Sequence, residues 1–256
     1  MIAERAANYY LKRSINLATS LETKVSPVAG KKKSTFVGFG FLVRNRRLAQ
    51  AILRLGWNHA YEGRMLLRSM IEIQINYAWI RLRDRERRAN RFLKFQPLEM
   101  LSILKDLSDS MEPAIYHSNL RKKKSERGRF RYLFRNRNQG GKLRWDKNWA
   151  RGFSLKDRLK DLLQAETGKF DGFLYAIYGW SSSAIHGGPE SISEVLEKNV
   201  RLQAKIQPEE DPAAQIVGAV LVLMATIEAL AEDSAVLDQF SPELKKLKKT
   251  LEKLRM

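Results

Sequence analysis

The chain has no cysteine and only three histidines in 256 residues. Without a thiol it forms no disulfide, holds no cysteine-ligated zinc and does no cysteine redox chemistry, and a histidine-only metal centre would need all three imidazoles. No metal or other cofactor is therefore expected. Acid is scarce too: 28 Asp plus Glu stand against 47 Lys plus Arg, a formal net charge of +19. The start, MIAERAANYYLKR, interrupts every apolar run with charge, so no secretory segment is expected and the cytoplasm is the expected compartment. Long apolar runs are lacking as well. The best, IVGAVLVLMATIEAL at 216–230, falls short of the roughly 20 residues that cross a bilayer and carries Glu228, so a central buried helix is expected and no transmembrane segment. What is present is globular: 44% hydrophobic and 29% charged residues exclude wholesale disorder or collagen-like repetition, and the length suffices for a core without disulfides.

Helical periodicity dominates. Between 47 and 84 there is no proline, and Leu48, Ile52, Leu55, Leu66, Leu67, Met70, Ile71, Ile75 and Leu82 recur at three- and four-residue spacing, predicting one long helix with Gly56 and Gly63 in its interior. Residues 85–111 repeat the rhythm, with Pro97 starting or kinking a turn, as a hairpin partner. A first helix is expected over about 2–21. The Gly-punctuated stretch 26–43 reads as a hairpin or an extended strap. Ser154 can cap LKDRLKDLLQAE, and 170–185 reads as an aromatic-rich helix stopped by His186, Gly187, Gly188 and Pro189. Asp211 with Pro212, and Ser241 with Pro242, look like helix starts, the second opening an amphipathic basic helix with Leu244, Leu247, Leu251 and Leu254 on one stripe. No internal repeat and no sheet-building alternation is present. The fold class is all-α: a helical bundle forming a single domain over 1–256, with an insertion at 113–153.

That insertion carries the strongest signal. Residues 121–151 hold 13 Lys or Arg against two acids, so +11 of the net charge sits in 31 residues. The bases Arg121, Lys122, Lys123, Lys124, Arg127, Arg129, Arg131, Arg135, Arg137, Lys142 and Arg144 alternate with Phe130, Tyr132, Phe134, Trp145 and Trp149. Such a mixture suits a polyanion whose phosphates are neutralised while its bases stack. RNA or single-stranded DNA is preferred to duplex DNA, because no recognition helix is evident. A solvated loop without a ligand and an anionic membrane surface are the rival readings. Lys31, Lys32 and Lys33 would extend the patch.

Two constellations have catalytic chemistry within reach. Arg64, Arg68 and Glu72, four residues apart, share one helical face, where a carboxylate can hold a guanidinium ready to grip phosphate; the same spacing also makes an ordinary ion pair. Tyr178, Ser182 and His186 are likewise four apart at a helix end, where an imidazole passes protons near neutrality or simply caps carbonyls. His59 reads as an interface or core imidazole on the long helix.

Three stretches resemble the DUF5677 family of bacterial proteins. In GWNHAYEGRMLLRSMIEIQINYAWI, Arg68, Ser69 and Glu72 resemble its Arg-Ser-x-x-Glu helix; RFLKFQPLEML, from Arg91, resembles the next helix; YAIYGWSSSAIHGG, with Tyr175, Tyr178 and His186, is similar to its Tyr-x-x-Tyr, Ser and His-Gly block. The resemblance implies an all-helical relative of the HEPN group, whose members are often dimeric ribonuclease toxins or antiphage effectors. It thus implies a homodimeric, metal-independent endoribonuclease with Arg68, Glu72, His186 and Tyr178 at its site, or a non-catalytic RNA- or single-stranded-DNA-binding adaptor of a defence complex with a cognate partner protein. The chain departs from the HEPN signature of Arg, four to six residues, then His: positions 179–181 before His186 are Gly, Trp and Ser, while Arg54 and His59 satisfy the spacing.

Overall fold

The structure is a computed structural model that describes residues 2–106, 112–137, 143–145, 149–150, 153–165 and 212–254. Within these the chain is all-α apart from one short hairpin. The helices are α1 (Ile2–Val25), α2 (Lys33–Leu55), α3 (Ala60–Leu82), α4 (Arg85–Lys94), α5 (Gln96–Asp106), α6 (Pro113–Arg129), α7 (Arg131–Phe134), α8 (Leu155–Gln164), α9 (Pro212–Asp233) and α10 (Leu237–Leu254). The hairpin strands are β1 (Arg135–Arg137) and β2 (Leu143–Trp145). The expected helix over 170–185 lies outside the described residues.

Three expectations need correction. The single helix over 47–84 is two: Gly56 takes φ 65°, which a side chain disfavours, its N–H closes α2 on the Ile52 carbonyl at 3.2 Å, and the turn Trp57–His59 leads into α3. The strap over 26–43 is helical from Lys33 onward. Gly38 is there a point of contact and not a breaker, because a Cβ would sit 2.3 Å from the Tyr77 hydroxyl of α3. The last helix starts at Leu237, with Pro242 inside it, and not at Ser241. A left-handed Ala235 (φ 56°) turns the chain at once, and burial of Phe240 draws the preceding residues into the helix.

Helix α9 is buried over most of its circumference because α1, α2 and α3 pack against it, and a stripe from Val217 through Leu221, Ala225 and Glu228 is only partly covered. Ile216, Val220, Leu223, Ile227 and Leu230 line one side, with Val222, Met224 and Ala229 buried on others. Each large side chain so buried contributes about 1.5–3 kcal/mol. The helix outruns its apolar stretch. Gln215–Asp233 is long and apolar enough to cross a membrane by length and composition, yet 72% of that window is buried against the other helices.

Polar groups fix the register of this core. Asn45 of α2 donates to the Thr226 hydroxyl at 3.0 Å, and that hydroxyl lies 2.8 Å from both Gln74 Oε1 and the Val222 carbonyl. At the far end of α9 the buried Asp233 accepts from the Tyr77 hydroxyl (2.8 Å), Arg81 Nε (3.1 Å) and Arg85 Nη1 (3.1 Å). Burial, reinforced by Asp233, holds the Tyr77 phenol well above its ordinary pKa, so it stays a donor. Glu86 of α4 takes the Lys33 and Ser34 N–H groups at 3.1 Å, together with the Ser34 hydroxyl, and so caps α2 from outside the helix.

Helix α8 begins as expected, with a reciprocal capping box between Ser154 and Asp157. Its Asp161 joins it to α3, accepting from the Trp79 indole (2.9 Å) and from Arg83 (2.7 and 2.8 Å). Burial works against the Asp161 carboxylate, but the bonds from Arg83 and Trp79 outweigh it and hold its pKa below the usual value. A carboxyl lowered by folding contributes stability above its ordinary pKa of about 3.9 and loses that contribution as pH falls through the lowered value. Acidification below about pH 4 is therefore expected to loosen the α3–α8 junction. Tryptophan fluorescence during an acid titration reads the change, and Asp161→Asn is expected to flatten part of that limb. An unchanged acid limb in the variant would contradict the assignment.

Candidate nucleic-acid interface

Helix α6 buries none of its residues. Its sequence explains why: Arg121, Lys122, Lys123, Lys124, Arg127 and Arg129 surround the axis, and Glu126 is the one acid among them. Proline in its first turn starts it, and α5 and α7 are its neighbours. Lys123 donates to Glu126 at 2.8 Å, which with other nearby bases keeps that carboxyl below its ordinary pKa. Arg121, Lys122, Lys124 and Arg129 are exposed, as are Arg131 and Arg135 beyond the helix. A helix of such charge repels itself, and a polyanion laid along it relieves that repulsion.

The helix leads into the hairpin, where Arg135 pairs with Trp145, Asn136 with Arg144 and Arg137 with Leu143. The Arg127 guanidinium lies 4.6 Å from the centre of the Trp145 ring and ties strand to helix. Lys142 lies outside the described residues, and Arg137 and Arg144 are placed by backbone register alone.

The five aromatic residues of the segment divide between two tasks. Tyr132 is 68% exposed, and Trp145 is half-buried under Arg127. Phe130 carries the Lys94 ammonium at 4.7 Å. Phe134 and Trp149 are core residues, which corrects the expectation that all five stack on a ligand. Phe134 meets Phe95 edge-on at 5.5 Å, and Trp149 meets Phe92 at 5.1 Å and Trp79 at 5.3 Å. These two rings anchor the basic arm.

Arg91, buried in α4, holds both roots of that arm. It donates from Nε to the Trp149 carbonyl at 3.0 Å and from Nη1 to the Leu133 carbonyl, with its guanidinium 4.7 Å from the centre of the Phe134 ring. Sequence reasoning noted Arg91 only as the start of a motif. Its partners lie 42 and 58 residues away, so no local spacing reveals them. Arg83, Arg87 and Arg88 carry no signal beyond composition, six of the eleven residues at 81–91 being Arg.

On α3 the expected face is present. Arg64 is fully buried and Arg68 nearly so, and Arg68 Nε donates to Glu72 Oε1 at 3.1 Å while Glu72 is partly exposed. Gly63 admits the neighbouring α9, since a Cβ there would lie 2.3 Å from the buried Gln215 amide oxygen. His186, Tyr178 and Ser182 lie outside the described residues. His59 is not a core imidazole on a long helix: because the chain breaks at Gly56, it sits exposed on a turn, 3.8 Å from Glu62. Arg54 is exposed on the last turn of α2. No group of three or more candidate ligands for a metal ion occurs among the described residues.

An all-helical bundle carrying a cationic arm is the class these features define. The sequence profile of DUF5677, a family of unknown function, matches residues 35–201, and the chain belongs to that family. No curated protein matches the chain. No solved structure matches it either.

Proposed function

We propose that the protein binds single-stranded nucleic acid, RNA ahead of DNA, along the arm formed by α6 and the hairpin. The observation that carries this reading is a helix with no buried side chain and six bases to one acid, followed by a Tyr132 that is 68% exposed. Phosphates neutralise such a helix, and exposed rings stack on bases of any sequence. A hydrated loop without a ligand would have no use for the anchoring of both arm roots by Arg91. A cytoplasmic setting, where RNA is met, belongs to the same proposal.

A second reading, metal-independent RNA cleavage by a dimeric defence effector, is favoured by Arg68. Its guanidinium is oriented by Glu72, as in arginines that grip phosphate, while Arg64 one turn away is fully buried. In that reading His186 moves protons and Tyr178 supports it. Incubation with total RNA and with tRNA in EDTA separates the two readings. Binding without products at any protein excess is the expected result for an adaptor. Products that disappear in folded Arg68→Ala and His186→Ala proteins are the expected result for a nuclease. Binding to anionic vesicles with none to RNA would overturn both.

A further inference from the structure

Beside the arm's root, the end of α3 and the start of α4 enclose a cleft of about 260 Å³. Its wall is Trp79, over whose ring the Arg88 guanidinium stacks at 3.6 Å; Phe153, 41% exposed, stands at its rim, 5.7 Å from Trp79 and tilted 44°. Arg83 and Arg87 complete the opening together with Asp84, while Arg91 and Trp149 lie deeper. The left-handed Asp84 (φ 48°) makes the corner that turns Arg83 and Arg87 to one mouth.

The charges do not balance. Among the described residues, the guanidiniums of Arg83, Arg87 and Arg88 stand at the cleft against the Asp84 carboxylate, and Asp161, which engages Arg83, adds one more acid from its edge. One positive charge is left over among these residues. Arg87 makes no hydrogen bond or ion pair with any described residue. Arg88 donates to the Trp79 carbonyl, and its pKa is lowered to about 10, first by burial and then by repulsion from Arg83. An anion in the cleft relieves that repulsion.

We propose that this cleft binds a phosphate-bearing aromatic ring, a nucleoside monophosphate, with the phosphate on Arg83 and Arg87 and the base against the Phe153 and Arg88 planes. The volume lies just below the roughly 300 Å³ lower end of ligand pockets, which suits one nucleotide within the cleft and not two. Guanidinium forks match phosphate oxygens, and a flat guanidinium beside an aromatic edge accepts a base. An inorganic anion would engage the arginines alone and leave the exposed part of the Phe153 ring uncovered. The ligand is either a free nucleotide or the phosphorylated end of a nucleic acid, and the inference stands apart from the reading of the arm.

The test is titration of the full chain with adenosine monophosphate, adenosine and inorganic phosphate, followed by tryptophan fluorescence and calorimetry. The monophosphate is expected to bind saturably, and adenosine and phosphate at least about tenfold more weakly. Arg87→Ala and Phe153→Ala are each expected to weaken it about tenfold, the first, at an exposed position, with unchanged melting. A variant carrying glutamine for Arg121, Lys122, Lys124 and Arg129 is expected to bind it as the parent does, which separates failure here from failure of the arm. Displacement by a 5′-phosphorylated oligonucleotide, and not by its 5′-hydroxyl twin, would assign the site to a nucleic-acid end; displacement by neither would assign it to a free nucleotide. No saturable binding, equal binding of inorganic phosphate, or parental affinity in both single variants would overturn the proposal.

Discussion

Replacing Arg121, Lys122, Lys124, Arg129 and Arg131 together with glutamine is expected to abolish most binding of single-stranded RNA while leaving the fold intact. All five are exposed, so their loss removes charge and little packing. Each phosphate neutralised on a single strand contributes about 0.7 to the slope of log affinity against log salt. Five contacts give a slope near −3.5, so the parent should lose on the order of 100-fold in affinity between 50 and 200 mM salt. The variant should bind on the order of 100-fold more weakly at the lower salt and show a much shallower slope. Circular dichroism should show helicity unchanged or raised, because α6 is relieved of its own repulsion. Fluorescence anisotropy across a salt series makes the measurement, and a variant with the parent's slope would remove the arm from consideration.

The second large effect belongs to Arg91→Ala. The change removes a buried cation that bonds the carbonyls of Leu133 and Trp149, and leaves both carbonyls to find new partners. Each charged hydrogen bond of this kind is worth about 1.5–3 kcal/mol, so a loss of roughly 3–5 kcal/mol is expected. At this chain length that lowers the melting temperature by about 10 °C. The arm should also come loose, and limited trypsin digestion should then cut within 121–151 well before the bundle, in contrast to the parent. Arg91→Lys, which keeps the charge without the fork, should fall between the two. Parental melting and parental proteolysis in Arg91→Ala would mean that Phe134 and Trp149 anchor the arm unaided.

Much of the bundle is legible in the sequence because local rules and burial agree there. The apolar run at 216–230 offers little polar surface to water and lies in the middle of the bundle, and Ser154 caps the helix it precedes as its hydroxyl suggests. Gly56 and Gly38 show where local reading stops. Both are glycines near helical periodicity, yet one breaks the chain through a positive φ and the other admits Tyr77. Only the packed structure distinguishes them. Pro242 resembles a start signal, but the burial of Phe240 draws the helix back to Leu237. The cationic arm is plain from composition, while its attachment is not, because Arg91 binds backbone carbonyls that carry no residue code. The arginine cleft is hidden for the same reason: Trp79, Arg88 and Phe153 meet through tertiary contact alone.

Photocrosslinking tests the central claim most directly. The parent protein is irradiated with a single-stranded RNA carrying photoreactive uridines, and the attached peptides are mapped by mass spectrometry. Attachment is predicted within 113–145, at Tyr132 and Trp145 above all, with loss of signal at high salt. Crosslinks confined to other helices, or none under conditions where anisotropy reports binding, would contradict an arm that holds the strand.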